Sequence, residues 1–103
     1  MNISQLNVEE KIIEIRNKHV IIDSDVAHLY GVETKRINEA VKNNPDKFPQ
    51  DYLIELDLKE KNELVENFDR FQKLKHSSAN PNAFTEKGLY MSIITLMEPP
   101  IIT

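Results

Sequence analysis

The chain of 103 residues has no cysteine, so neither a disulfide framework nor a thiolate metal site can hold it together. That absence suits a reducing compartment, and the expected location is the cytoplasm. Glycine occurs only twice, which excludes a glycine-rich loop cradling phosphates. No apolar run approaches the ~20 residues needed to span a bilayer. The start "MNISQLNVEEK" lacks the basic opening and apolar centre of an export signal. The expectation is therefore neither export nor membrane insertion.

Hydrophobic residues make up 40% of the chain and charged ones 29%, an ordinary globular balance rather than a disordered one. A mass of 12.0 kDa leaves room for one domain, residues 1–103, around one modest core. The formal net charge of −4 opposes unselective attraction to a polyanion, but its distribution is uneven. Residues 1–33 carry three basic and six acidic groups. Thr34 to Lys47 reverse the sign, with Lys35, Arg36, Lys42 and Lys47 against Glu39 and Asp46.

The run "KIIEIRNKHVIID" predicts a β-hairpin over residues 12–23. A turn at Asn17 and Lys18 would set Ile15 opposite Val20 and Ile13 opposite Ile22. The other face, with Ile12, Glu14, Arg16, His19, Ile21 and Asp23, is expected to be largely solvated. A helix from Val8 to Arg16 is the alternative, disfavoured by the density of β-branched residues.

Ser24 is expected to cap a short helix containing Val26, Leu29 and Tyr30, which Gly31 closes. A second helix starts near Glu33 or Thr34, buries Ile37, Ala40 and Val41, and ends by Asn44 because Pro45 disfavours helix in the residue before it. Alternation from Tyr52 to Leu58 predicts a third strand over 52–58 that could extend the hairpin's sheet. Asp57 and Glu60 have capping-box spacing for a helix over 58–72. The stretch "KLKHSSANPN" reads as a surface loop. Thr85 would cap a last helix over 85–98, with Leu89, Ile93, Leu96 and Met97 facing the core until Pro99 and Pro100. The predicted fold class is α+β: a small antiparallel sheet of hairpin plus third strand, a helix-turn-helix pair over 24–44, and two C-terminal helices.

A helix-turn-helix needs a small residue in its first helix, a glycine at the turn and buried aliphatics in both helices. Ala27, Gly31, Val32, Ile37 and Val41 fill those positions. At ~100° per residue, Lys35, Glu39 and Lys42 then lie opposite the buried stripe, flanked by Arg36, Asn38 and Asn43. In a major groove, Thr34, Lys35, Arg36 and Asn38 would meet base edges, because arginine and lysine donate to guanine and asparagine pairs with adenine. Lys42, Asn43 and Lys47 would hold phosphates. Glu39 would pair with Lys35, its i−4 neighbour. The bland alternative is an ordinary helical hairpin with a solvated charged face.

Catalytic patterns are weak. His19, His28 and His76 fall on different elements, and Asp25 with His28 offers too few ligands for a metal. Ser24, Asp25 and His28 do not make a relay by adjacency alone. The aromatic residues Tyr30, Phe48, Tyr52, Phe68 and Phe84 read as core rather than as a base-stacking platform. The expectation is no enzyme, no metal and no cofactor.

The segments "IRNKHVIIDSDVAHLYGVETKRINEAVKNNPDKFPQDYLIEL" and "AFTEKGLYMSII" resemble the ORF-6 N-terminal domain family, found in phage, prophage and bacterial proteins and related to the KilA-N and Bro-N domains. The resemblance runs from about Val8 to Leu96 in motif order. It implies a DNA-binding domain of phage regulators and antirepressor-like proteins. Members often carry a variable region after the last helix, whereas this sequence reaches "MEPPIIT". The loop "KLKHSSANPN" also departs from the glycine- and aromatic-containing segment often found there.

Two functions from different classes follow. One is binding of double-stranded DNA, with a homodimer reading paired half-sites. The other is capture of a regulatory protein by acidic surfaces, which can occupy a partner's DNA-binding face.

Overall fold

A computed structural model describes residues 8–98. The fold class is α+β, with a four-stranded antiparallel sheet in the order β1-β2-β4-β3. Its elements are α1 (Val8–Lys11), β1 (Ile13–Ile15), β2 (Lys18–Ile22), α2 (Asp23–Tyr30), α3 (Thr34–Asn43), β3 (Leu53–Glu55), α4 (Leu58–Asn67), β4 (Asn82–Phe84) and α5 (Glu86–Met97). Two 3-10 segments, Pro45–Lys47 and Asp69–His76, follow α3 and α4.

The hairpin forms, but in a register different from the expected one: Ile13 lies opposite Val20 and Ile15 opposite Lys18. The turn is Arg16–Asn17, with φ of 53° and 64°. Two left-handed residues are what a type I′ turn requires, because its twist matches that of the strands. Asn17 tolerates this backbone readily. Arg16 is held in it by its guanidinium, which reaches Glu60 at 2.9 and 2.8 Å and the Glu55 carbonyl at 3.3 Å. The helical alternative for the N-terminal stretch survives only as the single turn α1.

The second hairpin face is not solvated along its length. Val20, Ile21 and Ile22 are all buried, so both faces of β2 are covered. Val20 and Ile22 join Ile54, Leu56, Leu64, Phe71 and Ala83 under α4 and the second 3-10 segment. Ile21 joins Val26, Ala27, Ile37, Phe48 and Phe84 under α2, α3 and α5. The fold is thus a sheet between two helical layers, with alternate strand residues feeding opposite cores.

β4 was not foreseen. It begins at the last residue of the predicted loop, pairs Ala83 with Ile22 on one side and with Ile54 on the other, and so separates β3 from the hairpin. Three residues after a proline carry no readable alternation, although the flanking strands bury Ala83 and Phe84 completely. The predicted strand 52–58 shortens to Leu53–Glu55, because Leu56 is already held by the Pro81 carbonyl (3.0 Å) and Asp57 begins a helix cap. That capping box is present in full: Asp57 Oδ1 accepts from Glu60 N at 2.8 Å and Glu60 Oε1 from Asp57 N at 2.9 Å. The helix predicted over 58–72 ends at Asn67 and tightens into the 3-10 segment, where Phe71 is buried.

α5 begins after Thr85, whose hydroxyl accepts from Gly88 N. Its inward stripe is Gly88 and Ser92, with Leu89, Met91 and Leu96 packed beside it. Met97, expected in the core, is 77% exposed. The reason is the close approach at Gly88: an added Cβ would lie 1.9 Å from the Tyr52 carbonyl oxygen, so the helix turns its smallest residues inward and rotates Met97 out. Pro99 and Pro100 lie outside the described residues, as does the stretch before Val8. Among the described residues, no helix is long and apolar enough to cross a membrane.

Candidate nucleic-acid interface

α2 and α3 pack against each other through a turn built on Gly31, whose φ of 68° is left-handed. Gly31 N donates to the His28 carbonyl and Val32 N to the Ala27 carbonyl at 3.0 Å. This pair of bonds satisfies the last carbonyls of α2 and fixes the chain's exit. Ser24, expected as the cap of α2, lies inside its first turn. Ile22 holds the cap position without a side-chain bond, because the strand runs straight into the helix.

α3 is anchored by Ile37, with Val41 partly buried beside it. Lys35, Arg36, Lys42 and Asn43 are exposed, and Thr34 is half-buried at the first turn. Lys35 Nζ lies 3.9 Å from Glu39, and its side chain is 80% exposed; such a pair contributes little and leaves the ammonium free to engage elsewhere. A shallow depression at the start of α3 is lined by Gly31, Val32, Glu33, Lys35, Arg36 and Glu39. Two carboxylates therefore share the surface with two cations.

The structure uses two of the sequence-predicted residues internally. Asn38 donates through Nδ2 to Asp23 Oδ2 at 3.0 Å and accepts at Oδ1 from Asn82 Nδ2 at 3.1 Å. Asn82 N also donates to Asp23 Oδ2 at 3.1 Å. This network binds α3 to the start of α2 and to β4. Burial holds the Asp23 carboxyl above the usual carboxylate range, and the bonds from Asn82 and Asn38 offset this only in part. Lys47 sits 2.6 Å from both Glu98 oxygens, so it ties the turn after α3 to the end of α5.

Sequence reasoning also missed residues. Asp25 is buried and its carboxylate is paired with Arg70 at 3.1 Å. The Arg70 guanidinium lies 4.5 Å from the Phe71 ring centroid and 5.0 Å from that of Phe68, a cation–π arrangement. The run Arg70–His76 carries Arg70, Lys73, Lys75 and His76 and no carboxylate. A charge count over a window of that length would have found it.

No curated protein and no solved structure matches the chain. A family model described as the ORF6N domain matches residues 10–94, from the end of α1 to within α5. That span contains the hairpin, the α2–α3 pair, the interior network and the first three quarters of the last helix, and the chain belongs to the ORF6N domain family.

Proposed function

We propose that this phage-type domain binds duplex DNA as a regulatory module, with α3 as the recognition helix of a helix-turn-helix. The observation that carries the reading is the division of labour on α3. Ile37, Val41 and Asn38 fix the helix to the body, while Lys35, Arg36, Lys42 and Asn43 are exposed. A helix held on one side and cationic on the other is what a major groove accepts. Thr34, Lys35 and Arg36 at the first turn would meet base edges, and Lys42 and Asn43 the phosphates. Asn38 serves as the helix's anchor in this reading, and Lys47 as a tie to α5.

Three cations on α3 contribute about −2.7 to the slope of log affinity against log salt. Replacing Lys35 and Arg36 by alanine should weaken binding about tenfold or more. A flat salt dependence, or failure to recover any duplex from a random-oligonucleotide selection, would reject the reading.

A second reading, protein capture, is favoured by α4. Leu58 there is 62% exposed and lies beside Glu63 and Glu66 in a shallow surface cleft. A basic regulator would be its partner. Glu60 is excluded from that surface because it serves the cap and Arg16. E63K/E66K should abolish co-purification with such a regulator, and indifference to the change would count against capture.

A further inference from the structure

The 3-10 segment Asp69–His76 packs against α4 and buries Phe71, with Leu74 partly buried behind it. In a 3-10 helix residues three apart eclipse one another. Phe71 and Leu74 therefore form the inward line, and Arg70, Lys73 and His76 form another. The direction of that second line is fixed at its first member, since Arg70 meets Asp25 in the first turns of α2. Lys73, Lys75 and His76 are exposed. Among the described residues five ion pairs form, and neither Lys73 nor Lys75 takes part in one.

The segment is tied directly to the start of α2, and to α3 through the chain that follows it. Its beginning is held by Arg70 on Asp25. Just beyond its end, Lys61 Nζ donates to the Ser77 carbonyl; six residues past its end, Asn82 bonds Asp23 and Asn38 at 3.1 Å each. Asn38, three residues after Lys35 and four before Lys42, stands on the flank of α3 between the buried Ile37–Val41 stripe and the exposed side that carries those lysines. The chain leaving the basic segment thus docks beside the side of α3 that carries those two lysines.

We propose that Arg70–His76 is a second phosphate-binding element, which grips the duplex backbone beside the groove occupied by α3 through Lys73 and Lys75. The inference rests on the reading of α3 as the recognition helix. Mobile lysine ammoniums on a surface segment neutralise phosphates without reading bases. Arg70, held by Asp25 and two aromatic rings, positions the segment rather than touching DNA.

The test uses the full chain in fluorescence anisotropy on duplexes of several sequences between about 50 and 200 mM salt, comparing the wild type with K73A/K75A and K35A/R36A. Thermal melts establish that each variant is folded. The expected result is that K73A/K75A weakens all duplexes by one common factor, on the order of tenfold. Its salt slope should move toward zero by about 1.8, from about −4.5 in the wild type. K35A/R36A should instead change the ranking of sequences. If K73A/K75A leaves affinity and slope unchanged while K35A/R36A loses binding, the second element is overturned and the reading of α3 stands. If K73A/K75A loses binding and K35A/R36A does not, the reading of α3 is overturned, and with it the placement of the basic segment beside the groove of α3. If the wild type binds with no dependence on salt, both fall.

Discussion

The two helices that flank the sheet on opposite faces, α4 and α3, use their charges in opposite ways. On α4, Asp57 and Glu60 close the capping box, Glu60 also takes the Arg16 guanidinium, and the buried Lys61 donates to the Ser77 carbonyl. Those charges build the fold: they hold the hairpin turn and close the loop. On α3 the polar work of folding is done by Asn38, while Lys35, Arg36 and Lys42 remain on the surface. A charge that holds nothing inside the molecule is available to hold something outside it. The binding role proposed for α3 rests on this contrast more than on the number of cations.

The comparison assumes a rigid body beneath both helices, and its most severe test is Gly88. G88A would drive a Cβ to 1.9 Å from the Tyr52 carbonyl, which must push α5 off the sheet. A loss of roughly 3 kcal/mol is expected, visible as a large fall in the thermal midpoint by circular dichroism. An unchanged midpoint would mean that α5 does not approach β3 as described.

Asn38 sharpens the contrast on α3 itself. N38A leaves the Asp23 carboxylate and the Asn82 side chain short of a partner, which costs roughly 1–3 kcal/mol, measurable by urea denaturation. If Asn38 were a base reader facing solvent, the same change would lower DNA affinity and leave stability alone.

Glu60 tests the structural role of the α4 charges through pH. The Arg16 guanidinium, through its hydrogen bonds, holds the Glu60 carboxyl below the usual carboxylate range against a smaller effect of burial. A lowered folded pKa means that the carboxylate stabilises the native state above its ordinary value and loses that contribution as pH falls through the lowered one. E60Q should therefore melt below the wild type near neutral pH, and the gap should shrink as pH drops below about 4. A gap that stays constant across that range would remove the ion pair from the account.

Much of this was legible in the residues because the signals were local. Asp57 and Glu60 carry the cap in their spacing, Gly31 carries the turn, and the Ile37–Val41 stripe sets the inward face of α3. What was hidden depended on distant partners. The register of the hairpin turned on Arg16 accepting a left-handed backbone, and Glu60, the partner that holds it there, lies 44 residues away. β4 is a strand only because β2 and β3 flank it. Asn38 has the composition of a base reader and the geometry of a strut, a distinction made by Asp23 and Asn82. Met97 has core spacing, but Gly88 rotates the helix that bears it.

The central claim is that the α3 cations serve binding and not folding. Its most direct test measures both properties on one variant, K35A/R36A/K42A, by thermal melting and by duplex binding across a salt series. The expected result is a stability change within about 0.5 kcal/mol, as for exposed positions, together with loss of most duplex affinity and a salt slope about 2.7 units closer to zero. Unchanged affinity and slope in a folded variant would contradict the account.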